Sequence, residues 1–470
     1  MNKFVKNIPT QEARTQNNMK ALKGSGDACV DLFYKIGAMR GQNVIPAFLA
    51  AYEQEPEIAL RIALWARDVR GGAGEKKIYR DILKYLETHD PDSAYLLMNK
   101  TPEVGRWDDL FVLDGPLKDT AEKLYTGAIM TGNGLAAKWA PRKGPIAERL
   151  RLAMGVSPKH YRKILVKNTR VVEQQMCARD WDNINFSHVP SRAAKIYRRA
   201  FYRHTTKYAE YVNQLVKGTD PKVKINASAI YPHDVIAPLF GGFGTHERLS
   251  KTELDSIREQ WKALPNYMSE QNVLAMVDVS GSMYMGSSNV APIRVAIALG
   301  LYVADKMSGD FQDTFLTFSG APSLSTLSGD IVSKVNQMSK ANWGMNTNLH
   351  AAFEKVLDHA IVNSVPAEDM PSTMLILSDM QFDRCVHFDD SAMQMIRRKY
   401  EDAGYEIPQI VFWNLNAADN VPVKMNEHGV ALVSGFSPAI MESILQADME
   451  EFSPKGIMLK TLMKDRYNLG

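Results

Sequence analysis

The sequence predicts a multidomain protein in which an all-α repeat domain is followed by an α/β domain with a mostly parallel sheet. Residues from about 27 to 265 show helical spacing of apolar residues, and from about 270 short β-rich runs alternate with helical stretches. The length of 470 residues, of which 45% are hydrophobic and 23% charged, suits a soluble protein of two or three domains. We therefore divide the chain into a polar N-terminal arm (1–26), a helical domain (27–265) and an α/β domain (266–470).

The helical domain is indicated by apolar residues that recur every three or four positions. The segments NVIPAFLAAYEQ, PEIALRIALWARDV and GEKKIYRDILKYLETH show this spacing. Pro56 opens the second segment, which suits the first turn of a helix. Successive helices with short connectors predict an α-solenoid, although the sequence shows no clean repeat period.

Five short apolar runs predict the strands of the α/β domain. They are VLAMV (273–277), TFLTF (314–318), TMLILS (373–378), QIVFWNL (409–415) and VALVSG (430–435). Helical stretches lie between the runs, and this alternation is typical of a parallel sheet with helices on both faces. Ligands of such sheets bind at the carboxyl ends of the strands. The last helices, from about 437 to 466, are expected to cover one face or to pack on the first domain.

The run MVDVSGSMYMG ends a predicted strand in a carboxylate and two hydroxyl groups. Asp278, Ser280 and Ser282 form a D-x-S-x-S loop, in which every second residue can turn toward one point. Thr347, just before a predicted helix, and Asp379, directly after TMLILS, are further oxygen donors at strand ends. Such hard ligands suit Mg²⁺, so we expect Mg²⁺ or another divalent cation as cofactor. The alternative is a Ser-Gly turn that caps the following helix, with Asp379 as a second cap.

A basic segment interrupts an otherwise acidic chain. Residues 138–207 contain 17 Lys and Arg against 4 Asp and Glu, whereas the rest of the chain has 39 basic and 49 acidic residues. Such clustering predicts a polyanionic partner, since cations neutralise phosphates and neighbouring aromatic rings stack on unpaired bases. The alternative is a solvated helix surface whose long side chains cover apolar neighbours. The candidate RNA-binding residues are Lys138, Arg142, Lys143, Arg162, Lys163, Lys167, Arg170, Arg192, Lys195, Arg199 and Arg203.

Several patterns argue against other classes of protein. Cys29, Cys177 and Cys385 form no CxxC pair, which favours a reducing compartment over a zinc site or a disulfide framework. No apolar run reaches the length of a membrane helix, and the polar N-terminus lacks the apolar centre of a signal peptide. We therefore expect a cytoplasmic protein without membrane contact. Ser280 lies outside any G-x-S-x-G motif and its loop contains no histidine, so we expect no enzyme.

Asp278, Ser280, Ser282, Thr347 and Asp379 together resemble the metal-ion-dependent adhesion site (MIDAS) of von Willebrand factor A domains. The resemblance implies that both serines bind the metal directly and that the other three bind it directly or through water. It also implies an open coordination position for an acidic side chain of a partner protein.

A helical array followed by such an A domain resembles the Ro ribonucleoprotein family, in which a TROVE module of HEAT-like repeats forms a ring. A closer likeness is to a related, largely uncharacterised family of plants, large DNA viruses and phages. It is carried by ARDVRGGAGEKKIYRDIL, LAAKWAPRKG, IYPHDVI, DVSGSM and LSDMQFD, among other segments.

These resemblances imply a non-catalytic, monomeric RNA-binding protein. Its basic helical surface would bind small structured or misfolded RNA, and its A domain would carry a Mg²⁺-dependent adhesion site. The alternative function is a metal-dependent protein-interaction scaffold that captures an acidic partner and binds no RNA.

Overall fold

The structure is a computed structural model in which two compact units are distinguished. It describes residues 12–14, 20–169, 171–240, 249–268, 272–284, 290–318, 321–341, 348–380, 392–416, 421–447 and 451–470. The sheet unit comprises the described residues of Met1–Ala59 and Asn266–Met463, and the helical unit those of Leu60–Pro265 and Lys464–Gly470. The units differ from the predicted domains because residues 27–59 belong with the sheet and residues 464–470 belong with the helices.

The beginning of the chain contains regular structure within the segment predicted as a polar arm. Strands β1 (Glu12–Arg14) and β2 (Lys20–Leu22) pair antiparallel, and helices α1 (Ala28–Ile36) and α2 (Ile45–Gln54) follow. Asp27 begins α1, since its side chain accepts hydrogen bonds from the backbone N–H groups of Cys29 and Val30. Such capping satisfies backbone donors that have no partner inside the helix.

The helical unit follows the predicted periodicity closely at its start. Pro56 is the first residue of α3, in which the boundary between the units falls, and the three segments predicted as helices coincide with α2 of the sheet unit, with α3 and with α4. The described helices of this region are α3 (Pro56–Arg67), α4 (Lys76–His89), α5 (Pro91–Val104), α6 (Lys118–Met130), α7 (Gly134–Trp139), α8 (Pro145–Ala153), α9 (Pro158–Asn168), α10 (Val172–Cys177), α11 (Ser191–His204), α12 (Lys207–Lys217), α13 (Pro232–Ile236) and α14 (Lys251–Lys262).

An aromatic core lies beneath the basic segment. Phe186 is packed edge-on against Phe201 and Tyr208, with ring centroids 5.2 and 5.1 Å away. Val172 and Leu215 belong to the same buried cluster. Burial of these rings and aliphatic side chains removes apolar surface from water, which stabilises the region that carries α10, α11 and α12.

Within the helical unit, a buried carboxylate binds residues 464–470 to the helices. Asp68 is fully buried and accepts hydrogen bonds from Arg466 Nη2 at 2.9 Å and from the Tyr467 hydroxyl at 3.1 Å. The backbone N–H of Arg70 donates a further bond to it, at 2.9 Å. This carboxylate is therefore compensated by a cation and by neutral donors, as a buried charge requires.

The sheet unit contains a six-stranded mixed sheet. Its strands are β3 (Val273–Asp278), β4 (Thr314–Phe318), β5 (Leu324–Thr326), β6 (Thr373–Ser378), β7 (Gln409–Asn414) and β8 (Val430–Ser434). Its later helices are α15 (Pro292–Lys306), α16 (Ile331–Ser339), α17 (Leu349–Asn363), α18 (Ala392–Asp402), α19 (Ile440–Leu445) and α20 (Pro454–Leu462). In the parts of the chain that are described, every helix is too short or too polar to span a bilayer.

The strand order is β5-β4-β3-β6-β7-β8, and every pairing is parallel except that of the edge strand β5. The five longer strands coincide with the predicted runs. They are continuous apolar stretches because both faces of a parallel sheet are covered. Gly300 of α15 allows close packing on β3, since an added Cβ atom would lie 2.5 Å from Val277 Cγ2.

Helix α1 packs against β8 within the sheet unit. The Ser434 hydroxyl at the end of β8 donates to the carbonyl of Phe33 and accepts from the N–H of Gly37, at 2.8 and 3.0 Å. A Cβ atom on Gly37 would approach the backbone nitrogen of Gly435 to 2.7 Å, so only glycine permits this contact. The first helices of the chain therefore form part of the core of the α/β unit.

Candidate metal centre and nucleic-acid interface

The strand order places two of the predicted metal ligands, Asp278 and Asp379, at the switch point of the sheet. The chain runs outward from β3 toward β4 on one side, and from β6 toward β7 on the other. Asp278 is the last residue of β3 and Ser378 the last residue of β6, and the preceding pair Val277 and Leu377 are aligned across the two strands. Crevices at the carboxyl ends of such neighbouring strands are the usual ligand sites of open α/β sheets.

Asp278 is a fully buried carboxylate with two neutral donors. Its Oδ1 accepts from the backbone N–H of Ser280 at 2.9 Å, and its Oδ2 accepts from the Ser378 hydroxyl at 2.5 Å. Burial and, to a smaller extent, the negative charge of Asp379 raise the pKa of Asp278 to about 7, although the hydrogen bonds from Ser378 and Ser280 act in the opposite direction. Within the described part of the chain, no cationic side chain forms an ion pair with Asp278, so these residues leave the charge of the ionised carboxylate without compensation.

The two predicted serines lie together beside this carboxylate. The hydroxyl oxygens of Ser280 and Ser282 are 3.1 Å apart, and Ser280 is buried. They do not cap α15, since that helix is preceded by Ala291 and has no side-chain cap. The helix-capping interpretation of this loop is therefore not supported.

Of the remaining two predicted ligands, Asp379 is described by the structure and Thr347 is not. Asp379 is buried directly after β6 and interacts electrostatically with Asp278. Thr347 lies outside the described residues, so its place at the site stays a prediction. The structure thus brings Asp278, Ser280 and Ser282 together and places Asp379 at the end of the neighbouring strand.

Ser378 is a site residue that the sequence reasoning missed. Its hydroxyl donates to Asp278 and accepts from the backbone N–H of Met380 at 3.0 Å. Met380 has a left-handed backbone with φ of 64°, which is uncommon for a residue other than glycine and fixes the turn after β6. The serine at the end of TMLILS was visible in the sequence, but its partner depends on the pairing of β3 with β6.

The donor set of this site fits a hard divalent cation. Two buried carboxylates and the hydroxyls of two serines are oxygen ligands of the kind that Mg²⁺ accepts while it retains water. In the described ranges, no cluster of three or more His, Cys, Asp or Glu side chains could hold a metal ion. A cation here would therefore depend on hydroxyl oxygens as well as on carboxylates.

The candidate RNA-binding cations lie mostly on the surface of the helical unit. Lys138 and Lys195 are half-buried, and Arg170 lies outside the described residues. The exposed members are Arg142, Lys143, Arg162, Lys163, Lys167, Arg192, Arg199 and Arg203. Three of them belong to α9 and three to α11, so the described residues of the two predicted basic stripes face solvent, apart from the half-buried Lys195.

Intramolecular ion pairs divide these cations into two groups. Lys195 pairs with Asp234, and Arg199 Nε lies 3.3 Å from Glu253 Oε1. In contrast, no acidic side chain of the described residues pairs with Arg162, Lys163 or Lys167, which all lie on α9. The three cations of α9 therefore form a group on one helix that is available for a polyanion.

Most aromatic residues of the basic segment are structural. Tyr161 is buried and its hydroxyl donates to the carbonyl of Pro141 at 3.0 Å, while Phe201 is part of the aromatic core. Tyr202 differs because 44% of its surface is exposed, on α11 beside the exposed Arg203. Tyr202 is thus an aromatic residue of this segment that an unpaired base can reach.

These features define a protein with a basic helical unit and an α/β unit that carries a carboxylate–hydroxyl site. Residues 15–102 and 147–274 match the family described as Domain of unknown function (DUF2828), and residues 272–465 match Domain of unknown function (DUF7788). The chain is 33% identical over 514 residues to "Uncharacterized protein L728" of Acanthamoeba polyphaga mimivirus, covering 95% of this chain and 86% of the relative. The chain belongs to the family of this viral protein.

A solved structure was also found to be similar, at a low level. It is the crystal structure of Deinococcus radiodurans RO (RSR) protein, with 13% sequence identity, a TM-score of 0.37, and coverage of 89% of this chain and 90% of that chain. The likeness to an uncharacterised viral family, stated from the sequence motifs, is confirmed by the mimivirus relative. The more distant Ro-type relationship stays a prediction.

Proposed function

We propose that this protein binds RNA through the exposed cations of its helical unit and performs no catalysis on it. The observation that carries the proposal is the set of exposed cations on α9 without acidic partners among the described residues, Arg162, Lys163 and Lys167. Cations of this kind release counterions from a phosphate backbone when they bind it. Arg192 and Arg203 on α11 extend the same chemistry, and Tyr202 offers a face for stacking.

Reversal of the three α9 charges tests the proposal. In the triple variant Arg162→Glu, Lys163→Glu, Lys167→Glu, we expect affinity for single-stranded RNA to fall by at least about tenfold at low salt. The slope of log K against log salt concentration should decrease by about 2, because three phosphate contacts are lost. Filter binding or fluorescence anisotropy over a salt series measures both quantities.

The matched control reverses three other exposed lysines of the helical unit, Lys123, Lys222 and Lys251, which lie outside the basic segment. This control should keep most of the affinity and the full salt slope. An equal loss in both triple variants would show only a net-charge effect. Undetectable RNA binding by the wild-type protein at low salt would refute the proposal.

A second candidate function is metal-dependent capture of an acidic protein partner, and the carboxylate–hydroxyl site favours it. On this proposal a divalent cation held by Asp278, Ser280 and Ser282 accepts a carboxylate of the partner, and Thr347 and Asp379 complete the site. A substitution at the metal site can test partner capture without altering the RNA-binding surface, because the two sites belong to different units.

The variant Asp278→Ala is expected to abolish Mg²⁺-dependent partner capture in pull-downs from the native host and to leave RNA affinity within about twofold. The control Asp369→Ala removes an exposed carboxylate of the same unit and should change neither measurement. Partner capture that survives Asp278→Ala, or that persists in excess chelator, would exclude the metal-dependent scaffold.

A further inference from the structure

Each of the two units exposes one aliphatic side chain more than any other large apolar side chain among its described residues. In the helical unit this residue is Ile196, which is 64% exposed, and in the sheet unit it is Val362, which is 81% exposed. Single exposed apolar residues are common on protein surfaces and need no partner. These two are informative because the charged side chains around them have opposite signs in the two units.

Ile196 lies at the centre of a basic face of α11. Arg192 is four residues before it, and Arg199 and Arg203 are three and seven residues after it. Residues at this spacing share one side of a helix. All three arginines are exposed, so Ile196 is surrounded by accessible guanidinium groups.

Two acidic side chains interact with this part of α11, but both are largely buried. Glu253 pairs with Arg199, and Asp234 pairs with Lys195 and also interacts electrostatically with Arg192. The carboxylates therefore reduce the charge of the face from below, while the groups that a partner can reach are cationic. The accessible surface around Ile196 is positive.

Val362 lies in an apolar and acidic segment at the end of α17. Its neighbour Ile361 is exposed as well, and Asp358 lies one turn earlier on the same side of the helix. The connection to β6 then exposes the carboxylates of Glu368 and Asp369. Among the residues that the structure describes, no cation pairs with any of these three carboxylates.

One lysine and one histidine oppose the acidic charge of this segment. Lys355 lies two turns before Val362 on α17, and His359 adds a positive charge only when it is protonated. The last turn of α17 contains no basic residue, so the partial negative charge of its terminal carbonyl groups adds to that of the carboxylates. The surface around Val362 is therefore negative at pH 8.

We propose that the face of α11 around Ile196 docks onto the segment around Val362 of a second copy of this chain. Each surface combines an exposed aliphatic residue with charges that the other surface complements. The whole units have the same asymmetry, because residues 60–265 and 464–470 contain 37 Lys and Arg against 24 Asp and Glu, and the rest of the chain contains 19 against 29.

The contact is head-to-tail because the two surfaces differ. Each molecule in a dimer keeps one surface free for a further copy, so the size of the assembly should depend on protein concentration. Such self-association departs from the monomer that the Ro resemblance implies. It does not depend on RNA binding, although RNA would compete for the cations of α11.

Sedimentation velocity of nuclease-treated protein at pH 8 tests the contact. In low salt, we expect the wild-type protein to form dimers and larger species as its concentration approaches about 100 μM, which suits a small, weak interface. The association should weaken by at least about tenfold when the salt concentration rises to about 0.5 M, since salt screens the opposite charges of exposed surfaces.

The variants Ile196→Gln and Val362→Gln each remove one apolar centre and add no charge. Each variant alone should associate at least about tenfold more weakly than the wild type, the effect of losing one buried aliphatic side chain. The controls Leu152→Gln and Met463→Gln alter exposed apolar residues of the helical unit and of the sheet unit, and they should associate like the wild type. All four positions are exposed, so the circular dichroism spectra should match that of the wild type.

A mixture of the two variants tests the head-to-tail arrangement. Each variant retains the surface that the other has lost, so an equimolar mixture should form dimers with the wild-type affinity and no larger species. A wild-type protein that stays monomeric at about 100 μM in low salt would overturn the inference. Association that both variants retain, or that the two controls lose to the same extent, would overturn it as well.

Discussion

The variant Asp278→Asn is expected to be more stable than the wild-type protein when divalent cations are removed at pH 8. Asp278 is fully buried and its pKa is raised to about 7, whereas its ordinary value is 3.8. Ionisation of such a group costs the folded state about 4 kcal/mol relative to the unfolded chain. Loss of the acceptor for the Ser378 hydroxyl offsets about 1 kcal/mol of the gain, so we expect a net increase of about 3 kcal/mol in the free energy of unfolding.

The difference in the free energy of unfolding between Asp278→Asn and the wild-type protein depends on pH, because the pKa of Asp278 is raised in the folded state. Because the pKa of Asp278 is higher in the folded state, the folded protein binds more protons than the unfolded chain between about pH 4 and 7. The contribution of this carboxyl to stability is therefore fully present below about pH 4 and is lost as the pH rises to 7. The advantage of Asp278→Asn should accordingly be large at pH 8 and disappear as the pH falls toward 4.

Urea unfolding in chelator at several pH values measures this difference, and a parallel series in Mg²⁺ completes the experiment. A bound cation compensates the ionised carboxylate, so Mg²⁺ should stabilise the wild-type protein and have no comparable effect on Asp278→Asn. The control Asp369→Asn alters an exposed carboxylate and should stay within about 0.5 kcal/mol of the wild type throughout. A loss of stability in Asp278→Asn at pH 8 without metal would show that the buried charge is compensated in another way.

Most of the sheet could be predicted because its strands are continuous apolar runs between polar segments. TFLTF and TMLILS coincide with β4 and β6 at every residue, and the other three predicted runs differ from the strands by one residue at one end. The edge strand β5 was missed, since Leu324–Thr326 is too short for any alternation to be visible. The placement of α1 on β8 was also missed, because it depends on contacts such as Gly37 with Ser434, about 400 positions apart.

The candidate metal site could be predicted only in part for the same physical reason. Asp278, Ser280 and Ser282 are neighbours in sequence, so a local pattern is sufficient to find them. Ser378 approaches Asp278 because β3 and β6 pair in one particular register, and a shift of one residue would turn its side chain to the opposite face. In the basic segment, charge clustering indicated the surface, but only the fold distinguishes the paired Lys195 from the available Lys163.

The variant Arg466→Met is expected to destabilise the helical unit by about 3 kcal/mol, the lower end of the effect of removing one partner from a buried ion pair, because the Arg466 side chain is 36% exposed whereas Asp68 is buried. Arg466 is the cation that compensates Asp68, and this carboxylate is completely buried. The contact with Asp68 also favours the positive charge of Arg466, since the hydrogen bond and the charge of Asp68 raise the pKa of Arg466. Methionine retains most of the apolar stem of the side chain, so the loss reports the charge rather than the packing.

Two further variants distinguish the contribution of the Arg466 charge from that of the Tyr467 hydrogen bond and from that of an ordinary surface ion pair. Tyr467→Phe removes one hydrogen bond to Asp68 and keeps the buried ring, so we expect a loss of only about 1 kcal/mol. Lys100→Met breaks a surface ion pair, in which Lys100 Nζ lies 3.2 Å from Glu103 Oε2, and should change stability by less than about 1 kcal/mol.

A double variant gives the decisive comparison for this buried pair. Asp68→Asn in the Arg466→Met background removes the unpaired charge, so it should recover a large part of the lost stability although it adds no new contact. Hydrogen–deuterium exchange of peptides from α3 and α4 follows the helical unit specifically, while urea unfolding gives the free energy. If Arg466→Met behaves like Lys100→Met, water or another group must compensate Asp68, and residues 464–470 would contribute little to the stability of the helices.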